Sequence, residues 1–194
     1  DGALTNDATA LVGCRVEDNL IFSLLIQERP DGPEAKNWRV NDKKFDAMVR
    51  LAFKRFNVVG FFADPPYWMD WVDGWERDFG EQLVVAGSHE SKIAFYTSRD
   101  TAMARALQRF KIALNDRRLK IIPNRRLVRH LQSAQKWTRA RNLEVIGKAS
   151  KNSPRKIDGA IAATLAHEAR AKYLMIKDQE NPPAKDIFVP VKAR

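Results

Sequence analysis

Ala8-Thr9-Ala10-Leu11-Val12-Gly13-Cys14-Arg15-Val16 and Leu20-Ile21-Phe22-Ser23-Leu24-Leu25-Ile26-Gln27 are two β-rich runs separated by the trio Glu17-Asp18-Asn19. Apolar, β-branched and aromatic residues fill both runs, and the trio favours a turn, so the pattern predicts a β-hairpin. Downstream, Arg29-Pro30-Asp31-Gly32-Pro33 reads as a loop. Phe45, Met48, Val49, Ala52, Phe53 and Phe56 then recur at helical spacing, which predicts an amphipathic helix from Asn41 to about Arg55, with Asn41 or Asp42 as its cap. Val58-Val59-Gly60-Phe61-Phe62-Ala63 is a short apolar run of the kind found in fully buried strands. It stops at Asp64-Pro65-Pro66, where the prolines cannot donate to a ladder.

Trp68, Trp71 and Trp75 share a helical face, a stripe that serves core packing or, alternatively, a stacking platform. The pattern next predicts a strand over Leu83 to Ala86, a helix from Ser98 to about Asn115, a short strand at Lys120 to Ile122 and a strongly basic helix from Arg125 to Arg141. A strand at Leu143 to Ile146, a polar loop at Ser150 to Arg155 and an Ala-rich helix from Ile157 to Tyr173 complete the set, and the tail from Asp178 reads as irregular. Antiparallel strands followed by alternating helix and strand imply an α/β fold, a mixed β-sheet with helices on its faces. Residues 1–175 form the expected domain and 176–194 an irregular tail.

The chain has 194 residues, enough for one domain, and 44% hydrophobic against 30% charged residues leaves material for both a core and a solvated surface. A single cysteine excludes a disulfide framework and multi-cysteine zinc modules, and suits a reducing compartment. No apolar run approaches the roughly 18 residues needed to cross a bilayer. There is no signal-peptide pattern, and with Asp1 in place of an initiator methionine the chain reads as a segment of something longer. Its net charge of +10 is unevenly spread. Residues 1–97 carry 11 basic and 16 acidic side chains, whereas 98–194 carry 23 and 8. Between Arg117 and Lys156 there are 13 basic residues and one acid, Glu144. Such a segment is the electrostatic footprint of a polyanion partner, the alternative being a solvated face. Arg117, Arg118, Arg125, Arg126, Arg129, Lys136, Arg139, Lys151 and Arg155 are its candidate DNA contacts. Trp137 is the one aromatic among them, which favours phosphate contact over base stacking.

Several chemistries are excluded. Gly147-Lys148 looks like the end of a phosphate loop, but Asn142 stands where that motif needs Gly and Ala149 where it needs Ser or Thr. There is no Gly-x-Ser-x-Gly, no Gly-x-Gly-x-x-Gly and no His-Glu-x-x-His. The acids are more informative. Asp64 ends an apolar strand at the edge where α/β folds place their sites, or starts a turn before proline. Asp158 opens the Ala-rich helix, where it either caps the first amides or offers a carboxylate to a site. Asp1 and Asp7 flank a small polar loop and can form Asx-type turns. Taken together, carboxylates from different elements are what a two-metal nuclease needs, and the basic surface would hold a DNA backbone beside them.

The stretch Asp1-Gly2-Ala3-Leu4-Thr5-Asn6-Asp7-Ala8-Thr9-Ala10-Leu11-Val12 resembles the first signature of the nuclease domain in large terminase subunits of tailed bacteriophages. Ala63-Asp64-Pro65-Pro66-Tyr67-Trp68 is similar to the second and Lys156-Ile157-Asp158-Gly159-Ala160-Ile161-Ala162 to the third. Trp38-Arg39-Val40 and Leu127-Val128-Arg129-His130-Leu131 with Ala134 also match, so the resemblance runs in order over roughly residues 1–175. It implies an RNase H-like fold, two Mg²⁺ or Mn²⁺ ions held by Asp1, Asp64 and Asp158 with Asp7 as a further acid, and endonucleolytic cutting of double-stranded DNA during genome packaging. It also implies a portal and a small terminase subunit as partners, the host cytoplasm as location and no membrane. In the family the packaging ATPase precedes this domain, and most of the strand bearing the first acid would precede Asp1. Competing expectations are another RNase H-like nuclease, such as a Holliday-junction resolvase or a transposase core, and a non-catalytic DNA-binding module whose acids are only caps and turns.

Overall fold

The computed structural model describes residue 2, residues 8–150 and residues 153–181. The predicted hairpin is its centre. β1 (Ala8–Cys14) pairs antiparallel with β2 (Leu20–Glu28), and β3 (Lys120–Ile121) adds in parallel on the far side of β2, giving a mixed three-stranded sheet. Alternation along β1 divides the core. Ala10 and its partner Ile26 face Phe110, Leu127, Ala162 and Ala163, while Leu11 faces Phe45, Val49, Val72 and Trp75. The sheet therefore lies between two helical layers: α1 (Asp42–Arg55) and α2 (Met69–Phe79) on one side, and α3 (Asp100–Asn115), α4 (Arg125–Ser133) and α5 (Asp158–Glu180) on the other. α1 starts as expected, with the Asn41 side chain accepting from the Lys44 amide at 2.8 Å. The tryptophan stripe is core packing. Trp68 and Trp75 are buried against Phe45, and the Trp75 indole N–H donates to Asp46 Oδ1 at 2.8 Å.

Four expectations are corrected. Val58 to Ala63 is extended but joins no ladder. Val59 O accepts from Val84 and Val85, and Ala63 bridges Ala94, while residues of this segment and of β1, among them Thr9, Leu11, Gly13, Val58, Gly60 and Phe62, line a common cavity of about 550 Å³. Only Phe62 and Ala63 of the run are buried, Val58 to Phe61 being half-buried, so apolar character overstated the burial and could not supply a partner edge. Leu83 to Ala86 likewise follows a 3₁₀ turn and forms no strand, although Leu83 and Val85 are buried. The basic helix ends at Ser133 rather than Arg141. Ala134 turns extended, and β4 (Gln135–Thr138) pairs antiparallel with β5 (Glu144–Gly147). Trp137 explains the preference for strand: its indole donates to Lys148 O at 3.0 Å and its ring rests on Gly147, where a Cβ would come within 3.0 Å. Finally, α5 runs on through Asp178 to Glu180, with Lys177 reaching Glu180 at 2.6 Å, where the sequence had suggested irregular structure from Asp178. Residues 182–194 lie outside the described residues.

Candidate functional site

Asp64 stands where the extended segment ends. The turn that follows is built by Pro65, whose carbonyl accepts from the Trp68 amide at 2.8 Å with Tyr67 at a φ of 67°, so turn formation does not occupy the Asp64 side chain. Its carboxylate instead accepts from Thr97, 33 residues on, through the amide at 3.3 Å and through the hydroxyl. Asp64 is half-buried and lines the same cavity as Gly2 and Thr9.

Asp158 is buried at the start of α5, but not as its cap. It is the first helical residue; the N-cap position is Ile157, which offers no side-chain bond. The following amide, of Gly159, donates to Nδ1 of His130 at 2.8 Å. His130, on α4, is fully buried, and its Nε2 lies 2.8 Å from Glu28 Oε1 at the end of β2. Glu28 also binds Arg129 and sits opposite Ala8 in the sheet. An acceptor at Nδ1 requires the ring proton to be on Nε2, which then donates to Glu28.

These contacts bring the two acids to one end of the sheet. Glu28 pairs with Ala8, and through His130 and Gly159 that pair leads to Asp158. Gly2 bridges Thr9 and its carbonyl accepts from the Trp68 indole at 3.2 Å, which leads to the Asp64 loop. Among the described residues, no three His, Cys, Asp or Glu side chains close on one point. Asp1, Asp7 and Lys151 lie outside the described residues. Glu28 and Thr97 were not singled out in the sequence. Glu28 ends a strand, the same signal that drew attention to Asp64, whereas Thr97 carried none.

The candidate DNA contacts divide by what already holds them. Arg117, Arg125 and Arg155 are exposed. Arg118 pairs with Asp116 at 2.5 Å, Lys136 with Glu144 at 2.8 Å, and the Arg139 guanidinium lies over the Trp137 ring at 5.4 Å. Arg126 donates to Ile26 O at 3.0 Å and Arg129 to Glu28, so both also tie α4 to β2. Hydrogen bonds from Lys111 and Lys136 hold the Glu144 carboxyl down at about 2, which keeps the lone acid of this segment charged. No helix among the described residues is long and apolar enough to cross a membrane.

No protein-family model matches the chain. It is 35% identical over 178 residues to the Gene 13 protein of Mycobacterium phage D29, and 34% identical over 178 residues to that of Mycobacterium phage L5. These alignments cover 91% of this chain but 29% of each relative, so the chain spans less than a third of their length. In fold it is similar to the crystal structure of the large terminase nuclease from thermophilic phage G20c, with a TM-score of 0.57, 11% identity, and coverage of 87% of this chain and 78% of that one.

Proposed function

We propose, from the fold this chain shares with a large terminase nuclease, that it is an RNase H-like endonuclease domain cutting double-stranded DNA during phage genome packaging. The observation that carries this reading is the presence of Asp64 and Asp158, 94 residues apart in sequence, at the same end of a mixed sheet, in a chain whose second half is strongly basic. Carboxylate oxygens are the donors that hard divalent ions prefer, so Asp64 and Asp158 suit Mg²⁺ or Mn²⁺, with Asp1 completing the set and Asp7 as a further acid. Two such ions would polarise the scissile phosphate and make a hydroxide available near neutral pH. The protein's own part is positional. Thr97 orients the Asp64 carboxylate, the start of α5 presents Asp158, and exposed cations such as Arg117, Arg125 and Arg155 neutralise phosphates whatever the base sequence. On the same reading the complete protein works with a portal and a small terminase subunit in the host cytoplasm.

The test is cleavage of linear double-stranded DNA, with branched DNA and RNA–DNA hybrids as competing substrates. Cleavage is expected in Mg²⁺ or Mn²⁺ and not in Ca²⁺, whose looser coordination misplaces the attacking water. Asp64→Asn and Asp158→Asn should each remove cleavage while DNA affinity survives, because losing a negative charge does not weaken attraction to phosphate. Cutting that persists in chelator, or near-normal cutting by Asp158→Asn, would falsify the proposal. Binding that ignores divalent metal, with no cutting by the wild-type chain, would identify a DNA-binding module instead.

A further inference from the structure

We infer that His130 is a positioning residue: clamped between Glu28 and the Gly159 amide, its ring fixes the first turn of α5 and so sets where Asp158 stands. The inference rests on the reading of Asp158 as a metal-binding acid.

Three observations converge on it. First, α5 begins without a local cap. The Ile157 side chain cannot accept a hydrogen bond, yet the opening amides of a buried helix need acceptors. Nδ1 of His130 supplies one at 2.8 Å from a different helix, so the helix start is held from outside its own sequence. Second, the approach is closer than any other residue would allow. A Cβ at Gly159 would lie 2.9 Å from Nδ1 and 3.2 Å from the His130 Cβ, so glycine is required for the ring to meet this backbone. Third, the other side of the ring is anchored to the sheet. Nε2 reaches Glu28 at 2.8 Å; the second Glu28 oxygen is engaged by Arg129, and Glu28 itself is in register with Ala8.

A serine or aspartate at position 157 would satisfy the same amides, but it would move with α5. The His130 arrangement makes the helix start follow the end of β2, the end of the sheet where the Asp64 loop also lies. A buried ring with both nitrogens bonded has little freedom to reorient, so the Asp158 backbone is placed before any ion binds.

Two substitutions separate this role from simple packing. His130→Asn keeps an oxygen near the Nδ1 position and can still accept from Gly159, but loses the donor to Glu28. His130→Gln keeps a donor toward Glu28 and loses the acceptor for Gly159. Groups that orient the side chains around a metal typically change affinity or activity by about 10–100-fold when replaced. His130→Gln is therefore expected to lower kcat for DNA cleavage and to weaken Mn²⁺ binding, followed by calorimetry without DNA, by about 10–100-fold. KM for DNA should hold, and the Gly159 amide should exchange faster. His130→Asn should recover the slow Gly159 exchange and only part of the Mn²⁺ affinity, because the anchor to Glu28 is still lost. If both variants lose Mn²⁺ binding and cleavage equally, in step with the fraction unfolded, the ring is only structural and the inference is overturned. Asp158→Asn measured in parallel distinguishes the two failures. Unchanged cleavage and Mn²⁺ binding in that variant overturn the Asp158 assignment and the inference with it. Loss in Asp158→Asn beside normal behaviour of His130→Gln overturns the inference alone.

Discussion

Around Asp158 the buried His130 ring spans from the sheet to the helix, and α5 is tied down further along by three more polar contacts. Arg109 grips Glu168 at 2.8 Å, Arg170 donates to Val16 O at 2.8 Å, and Lys172 donates to Ala86 O at 2.9 Å. Asp64, by contrast, closes an extended segment that meets its neighbours at isolated hydrogen bonds beside a cavity of about 550 Å³. One acid rides on a helix fixed along its length. The other depends on Thr97 and a few backbone bonds. The contrast teaches that a damaged α5 side should cost global stability, whereas a damaged Asp64 side should cost local order and activity.

The largest effect on stability is expected where the tight side is broken. Glu168→Ala removes the buried partner of Arg109; because Arg109, with a side chain 34% exposed, can reach water once alone, the expected loss is about 2 kcal/mol from denaturant unfolding, the scale of hydrogen bonds to charged groups. A loss below about 1 kcal/mol, the surface-pair range, would show that the α5 side is less firmly held than its contacts imply.

Thr97→Val probes the loose side. It removes the hydroxyl donor to Asp64 at nearly constant volume and leaves the Thr97 amide bond in place. Unfolding free energy should fall by only about 1 kcal/mol, the scale of one hydrogen bond. Cleavage should fall by about tenfold through misorientation of the carboxylate. Equal behaviour of Thr97→Val and Glu168→Ala in both assays would erase the distinction between the two sides.

A pH effect should sharpen it. His167 is buried on α5 with its ring edge-on to Phe110, and its Nδ1 has no hydrogen-bond partner among the described residues. Burial first, then the charges of Arg170, Arg109 and Arg118, push its imidazole down from 6.5 to about 4. Between those values the unfolded chain takes up a proton that the folded chain refuses. Stability from this group is therefore fully present above pH 6.5 and is lost as pH falls toward 4. His167→Leu should flatten the stability curve in that window, and an unchanged slope would place the acid sensitivity elsewhere.

The smallest effect concerns the basic surface. Arg125→Ala should weaken DNA binding slightly and reduce its salt dependence by about one counterion, with stability unchanged, because Arg125 is exposed on the first turn of α4. Arg129→Ala should do the same to binding but also loosen Glu28. Identical thermal unfolding of the two variants would remove Arg129 from the anchoring of Glu28.

Local patterns determined much of this molecule. The hairpin, α1 with its Asn41 cap, α3, β3, β5 and the start of α5 follow from periodicity, capping and turn chemistry that act within a few residues. The same patterns singled out Asp64 and Asp158 as acids at element ends. They failed where the deciding partner is remote. The stretch from Arg125 to Arg141 holds no glycine or proline to stop a helix, and the break at Ala134 follows from β4 finding β5 and Trp137 finding Gly147 and Lys148. Val58 to Ala63 has the composition of a buried strand, but a ladder needs a second edge within hydrogen-bonding reach, and the segment meets its neighbours only at the Val59 carbonyl and the Ala63–Ala94 bridge. Whether Asp158 caps a helix or serves a site was equally open from its neighbours, since both need an acid in the first turn. What the tertiary structure did decide is where the first turn of α5 finds an acceptor, because the ring that accepts from Gly159 comes from His130 and is braced by Glu28, 102 residues earlier in the chain. Sequence patterns report what a residue prefers, and packing decides which distant group meets it.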